Sequence, residues 1–179
     1  MKKIVSIAVA MAMTVGTAMT LVSSTSDDRV EATSTGFNPN YTEALQKSLY
    51  FYEAQQAGPL PDWNRVAWRG DSTMSDYVLG GWYDAGDHVK FNLPMSYTAA
   101  MLAWGLYEYG DGIESSGQRG IMEQNLEFTL DYLVDCDLGD EVVYQVGDGT
   151  DDHGWWGSVE LLEYMMERPY FTTDASCVV

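Results

Sequence analysis

From Met95 to Tyr109 the chain is apolar on nearly every face of a helix, with Ala99, Ala100, Met101, Leu102, Ala103, Trp104 and Leu106 in one run. A helix apolar all round has to be covered all round, so this segment requires other elements packed about it. Pro94 suits the first turn of that helix, and Gly110 and Gly112 suit its end. The neighbouring periodic segments are also helical. Asn40 with Glu43 three residues on has the pattern of a capping box, and Tyr41, Leu45, Leu49 and Tyr52 then recur at helical spacing up to Gly58-Pro59. Gln118 to Asp135 is amphipathic, with Met122, Leu126, Thr129, Leu130 and Leu133 on one stripe. Val142 to Val146 is short and β-like.

Two stretches fit no period. Residues 59–93 are rich in glycine and aromatics, with Pro59, Pro61, Gly70, Gly80, Gly81 and Gly86; residues 147–157 include Trp155 and Trp156. Long irregular segments in a packed domain usually carry function. The first contains Gly81-Trp82-Tyr83-Asp84-Ala85-Gly86-Asp87-His88-Val89-Lys90-Phe91, which sets two carboxylates three residues apart among aromatics. Two close carboxylates cannot ionise independently, so one becomes a tuned base. Carboxylates beside aromatic faces suit a sugar-cleaving site, where carboxylates handle protons and water while rings stack on pyranose faces. Taken alone, Asp-x-x-Asp in a glycine-containing loop is ordinary turn chemistry.

The N-terminus reads as a secretory signal. Lys2 and Lys3 precede an uncharged, mostly apolar run from Ile4 to Val22, and Val30-Glu31-Ala32 offers a cleavage site. Signal (1–32) and linker (33–39) are expected to precede a domain over 40–179, which makes the product secreted and extracellular, with no membrane attachment after cleavage. With 27 acidic against 9 basic residues the net charge is −18. Such a chain repels polyphosphate, which argues against nucleic acid, whereas a neutral polysaccharide meets no such penalty. Secretion permits a disulfide, but Cys136 and Cys177 give no strong reason to pair. No Cys/His spacing suits zinc. Asp148-x-Thr150-x-Asp152 starts like a calcium loop but has His153 and Val159 where glycine and glutamate belong.

The string Gly80-Gly81-Trp82-Tyr83-Asp84-Ala85-Gly86-Asp87-His88-Val89-Lys90-Phe91 resembles the signature segment of glycoside hydrolase family 9, the inverting cellulases. Tyr41–Ser48, Asn64–Ser72, and Gln145–Gly149 with Asp152-His153 and Trp156-Gly157 resemble further family segments in the same order, as does Arg168-Pro169. The resemblance implies an all-α fold, an (α/α)6 barrel of six helical hairpins, of which this chain would hold a truncated N-terminal part. Twelve helices of about 12 residues with connections of about 5 need roughly 200 residues. It implies an endo-β-1,4-glucanase acting on cellulose or another β-glucan, with Asp87 as general base and Asp84 helping to hold the water. His153 and Trp156 would line the sugar cleft, with Trp155 and Tyr83 as further contacts. One of the two tryptophans is expected to be buried and Trp156 displayed. Trp82 and Tyr83 are expected to act more as wall than as platform, His88 to pack, and Arg65 and Arg69 to pair with carboxylates that set the long loop. The family's general acid is a glutamate near the end of the catalytic domain with no counterpart here, so the chain alone is expected to be inactive. No cofactor is implied, and structural calcium would be held largely beyond Val179. The competing reading is a non-catalytic secreted carbohydrate-binding protein that keeps the aromatic cleft.

Overall fold

The computed structural model describes residues 39–175; the expected signal, nearly all of the linker and Cys177 lie outside them. Helix α1 (Tyr41–Ala54) opens as the capping pattern predicts, with Asn40 Oδ1 accepting from the Glu43 amide at 3.1 Å. The long irregular segment follows. Strand β1 (Lys90–Phe91) leads directly into α2 (Asn92–Ser115), and α3 (Arg119–Asp135) folds back against it. Then come β2 (Glu141–Val146), a short α4 (Gly149–Gly154), a 3-10 turn (Val159–Tyr164) and β3 (Tyr170–Asp174). The helical expectation therefore gains a small sheet, antiparallel in the order β1-β2-β3. Its register pairs Lys90 with Val146 and Phe91 with Gln145, and β2 carries an irregularity between Val143 and Gln145.

Leu49 of α1, Ala99 and Ile113 of α2, and Met122 and Leu126 of α3 bury against one another. A second cluster joins Met95, Tyr132 and Cys136 to Val143 and Val146 of the sheet and to Val78 and Trp82 of the loop. These clusters cover only one side of α2. Leu93, Tyr97, Trp104 and Tyr107 remain exposed, Trp104 by 66% and Tyr107 by 86%. The far face of this helix is thus bare among the described residues, as part of a ring of hairpins would leave it: α1 and α3 pack against a single face. The helix also runs past Gly110 to Ser115, across a kink at Tyr109 (φ −122°, ψ 20°). On α3, Met122, Leu126 and Thr129 are buried as expected, but Leu130 is exposed.

The long loop is pinned by polar anchors in place of regular structure. Glu53, fully buried at the end of α1, accepts from the Arg65 backbone at 2.9 Å and pairs with its guanidinium. Arg69 reaches Glu160 of the 3-10 turn at 2.7 Å and also bonds the carbonyls of Ala54 and Gln56. Both arginines do set this loop. Gly81, at φ +76°, lies so close to Tyr132 that a Cβ would come within 2.6 Å of the ring, so no other residue fits without displacement.

Candidate active site

Asp84 and Asp87 share one tight turn. The Asp84 amide donates to the Val89 carbonyl at 2.9 Å, and the Asp87 amide donates to the Asp84 carbonyl at 2.8 Å. Between them Ala85 sits at φ +46°, a left-handed conformation that costs a non-glycine residue energy. Its carbonyl accepts a bond from Gln55 Nε2 at 2.6 Å, which ties the turn to the end of α1. Burial, and after it the charge of Asp87, raises the Asp84 carboxyl above its usual range. Asp84 therefore feels its neighbour's charge, with burial as the larger effect.

Asp87 is held from two directions. Its Oδ1 accepts from the His88 amide at 2.9 Å, and its Oδ2 lies 3.3 Å from His153 Nδ1. An ionised carboxylate can only accept, so His153 must carry its proton on Nδ1 to make this bond. His153 comes from α4, a short helix in the segment expected to be irregular; Asp148 caps it by accepting from the Thr150 amide at 2.8 Å. Trp156 follows at 83% exposure, its ring meeting His153 edge to face at 6.1 Å. Trp155 instead packs against Ala57, Tyr83, Val159 and Leu162. One tryptophan is displayed and the other half-buried, in the expected order.

Tyr83 is buried, and its hydroxyl bonds Ser72 at 2.9 Å and Thr73 at 2.6 Å. Burial pushes that hydroxyl up to about 12. Tyr83 is thus placed as wall beneath the turn, without a face free for a sugar, and Trp82 is buried likewise. His88 is half-buried, its ring edge-on to Tyr83 at 5.9 Å, and burial lowers its pKa. It packs, as expected.

A group of four charges lies beneath this turn, and no local pattern in the sequence assigns it a role. Arg168, just before β3, donates to Asp76 at 2.8 Å and to Asp152 at 2.5 Å. Lys90 shares Asp76 at 2.9 Å and donates to the Val78 carbonyl at 2.6 Å. All four side chains are buried. Burial pushes Asp152 up to about 6 despite Arg168, and lowers Lys90 despite Asp76. Two cations against two anions leave the cluster close to neutral, the condition under which charge can be buried. Cys136 is a buried free thiol, bonded by Asn92 Nδ2 at 3.2 Å. Among the described residues no group of three or more acidic, His or Cys side chains could hold a metal, and no helix is long and apolar enough to cross a membrane.

The family model for Glycosyl hydrolase family 9 matches residues 41–178. Endoglucanase 4 of Bacillus sp. (strain KSM-522) is 49% identical over 145 residues, 77% of this chain and 22% of that protein. Endoglucanase B of Cellulomonas fimi is 48% identical over 77% of this chain and 14% of its own length. Among solved structures, endoglucanase CelQ from Clostridium thermocellum complexed with cellotetraose superposes with a TM-score of 0.75 at 72% identity, over 76% of this chain and 23% of that one. The endoglucanase of the termite Nasutitermes takasagoensis gives a TM-score of 0.74 at 39% identity, over 78% of this chain and 34% of its own. The chain thus spans about a fifth of the length of the first curated relative it matches.

Proposed function

The chain belongs to glycosyl hydrolase family 9 and corresponds to the N-terminal part of its (α/α)6-barrel catalytic domain; from that premise we propose that it carries the base half of an inverting endo-β-1,4-glucanase site. The observation that supports this most is the convergence of Asp84, Asp87 and His153 on one turn, with Trp156 exposed beside them. In this reading Asp87 takes a proton from water as the water oxygen bonds the anomeric carbon. The bond to the leaving sugar breaks, and the leaving oxygen takes a proton from an acid carboxyl roughly 6.5–9.5 Å from Asp87. That acid belongs to a part of the domain outside the matched residues. Asp84 holds the water and tunes its neighbour, His153 orients Asp87, and Trp156 offers its ring to a pyranose face.

Cellulose or a related β-glucan is the proposed substrate, in keeping with the cellotetraose complex of the Clostridium thermocellum relative. Secretion follows from the basic and apolar N-terminus, as a proposal. The test is the first-formed product of cellotetraose hydrolysis by a catalytic domain that carries this chain, observed by proton NMR. The α-anomer should appear first and equilibrate later. Initial β-anomer would refute inversion, and sugar binding with no turnover in that complete domain would favour the non-catalytic carbohydrate-binding reading.

A further inference from the structure

We propose that Arg168 is a positioning residue for the Asp87 carboxylate, holding the turn that carries Asp87 in register with the helix that carries His153. It deepens the reading of Asp87 as base and rests on that reading for its catalytic meaning alone. The guanidinium makes three bonds at once, two to the long loop and one to α4. Nη1 donates to Asp152 on α4 at 2.5 Å, Nη2 donates to the His88 carbonyl at 3.0 Å, and Nε donates to Asp76 of the long loop at 2.8 Å. His88 follows Asp87, and Asp152 precedes His153. Arg168 therefore grips the residue next to each member of the Asp87–His153 pair.

Two further observations support a built junction. The Arg168 side chain is 1% exposed, so its donors are directed entirely into protein. Gly147, at φ +92°, stands against the Arg168–Asp152 pair: a Cβ there would collide with Asp152 Oδ2 and come within 2.7 Å of Arg168 Nη1. The backbone is bare where the pair has to sit. A planar fork can serve three acceptors in fixed directions, whereas a lysine presents one point charge. Buried ion pairs add little net stability over apolar packing, so directional placement is the property this arrangement supplies best.

The test reads the ring nitrogens of His153 by 15N NMR in the full chain, without sugar. The wild-type chain should show the Nδ1–H tautomer, and Asp87→Asn should lose that preference. Arg168→Lys should lose it too, while circular dichroism remains that of a folded chain. Should Arg168→Lys not fold, Asp152→Ala supplies the same reading, because it removes the acceptor that links Arg168 to α4. Absence of the Nδ1–H tautomer in the wild type, or its persistence in both folded variants, would overturn the proposal. Persistence in Asp152→Ala alone would do so where the lysine variant does not fold. Since no substrate is present, failure of the glucanase reading leaves these outcomes unchanged.

Discussion

The Nδ1 atom of His153 lies 3.3 Å from Oδ2 of Asp87, across 66 residues of sequence. This contact joins the two irregular segments of the chain and gives the aspartate a fixed direction. If Asp87 is the base proposed above, it is aligned before substrate arrives.

Replacing Asp87 by Asn in a catalytic domain carrying this chain should reduce turnover by about 10²–10⁴-fold and leave cello-oligosaccharide binding nearly intact. Asp84→Asn should slow turnover by a smaller factor. Trp156→Ala should act chiefly on KM. Steady-state kinetics on cellotetraose separates these effects. A larger loss from Asp84→Asn would exchange the two aspartates' roles.

Thermal melting between pH 2 and 7 should show an acid limb that belongs to Glu160. Burial opposes its ionisation, but bonds from Ser158, Arg69 and the Gly70 amide outweigh burial and hold the carboxyl at about 2. Its folded pKa is depressed, so its contribution is present above about 4.5 and is lost as pH falls toward 2. Glu160→Gln should flatten that limb. Asp152 has the opposite sign: it is raised to about 6, so the stability from its protonated form is lost as pH rises from about 4 through 6. Asp152→Asn should remove that component.

Gly81→Ala should destabilise the fold by about 1–3 kcal/mol, because φ +76° is strained for alanine and the new methyl would meet the Tyr132 ring. Urea unfolding measures the change. Gly86→Ala, where a Cβ meets nothing within 4 Å, is the control and should cost much less.

The purified chain, residues 1–179, should release no reducing sugar from carboxymethylcellulose, since the proposed acid lies outside the matched residues. It should bind a hydrophobic dye through the outward stripe of α2, where Leu93, Tyr97, Trp104 and Tyr107 are exposed. Tyr97→Ser with Trp104→Ser should lower that binding. A sharp melting transition with little dye binding would show that the stripe is too small to matter.

Much of this was legible in sequence because it is local. Asn40 and Glu43 are three residues apart, and the stripe of α3 repeats every turn, so cap and helix follow from spacing. What was not legible is long-range or depends on the neighbours present. Asp76 and Arg168 meet across 92 residues, and no local pattern announces that pairing. α4 is six residues with glycine at each end, too short and too poor in helix formers for a period to show; its signal was Asp148 as cap. For α2 the residues show that both faces are apolar, but not which face α1 and α3 cover. Tyr83 resembled a sugar contact because an aromatic beside a carboxylate looks the same in sequence whether it faces solvent or core.

Pairing of Lys90 with Val146 makes the sheet a ruler for the candidate site. β1 begins three residues after Asp87, and β2 ends just before the loop that enters α4, so this one pairing sets how far the carboxylate stands from the imidazole. Alternate residues on a strand face opposite ways, and a slip by a single residue would turn Lys90 out of its buried place beside Asp76 and carry Asp87 about 3.3 Å along the strand. The spacing of Asp87 from His153 is therefore coupled to a two-residue strand, and the cost of parting Lys90 from buried Asp76 guards it against drift.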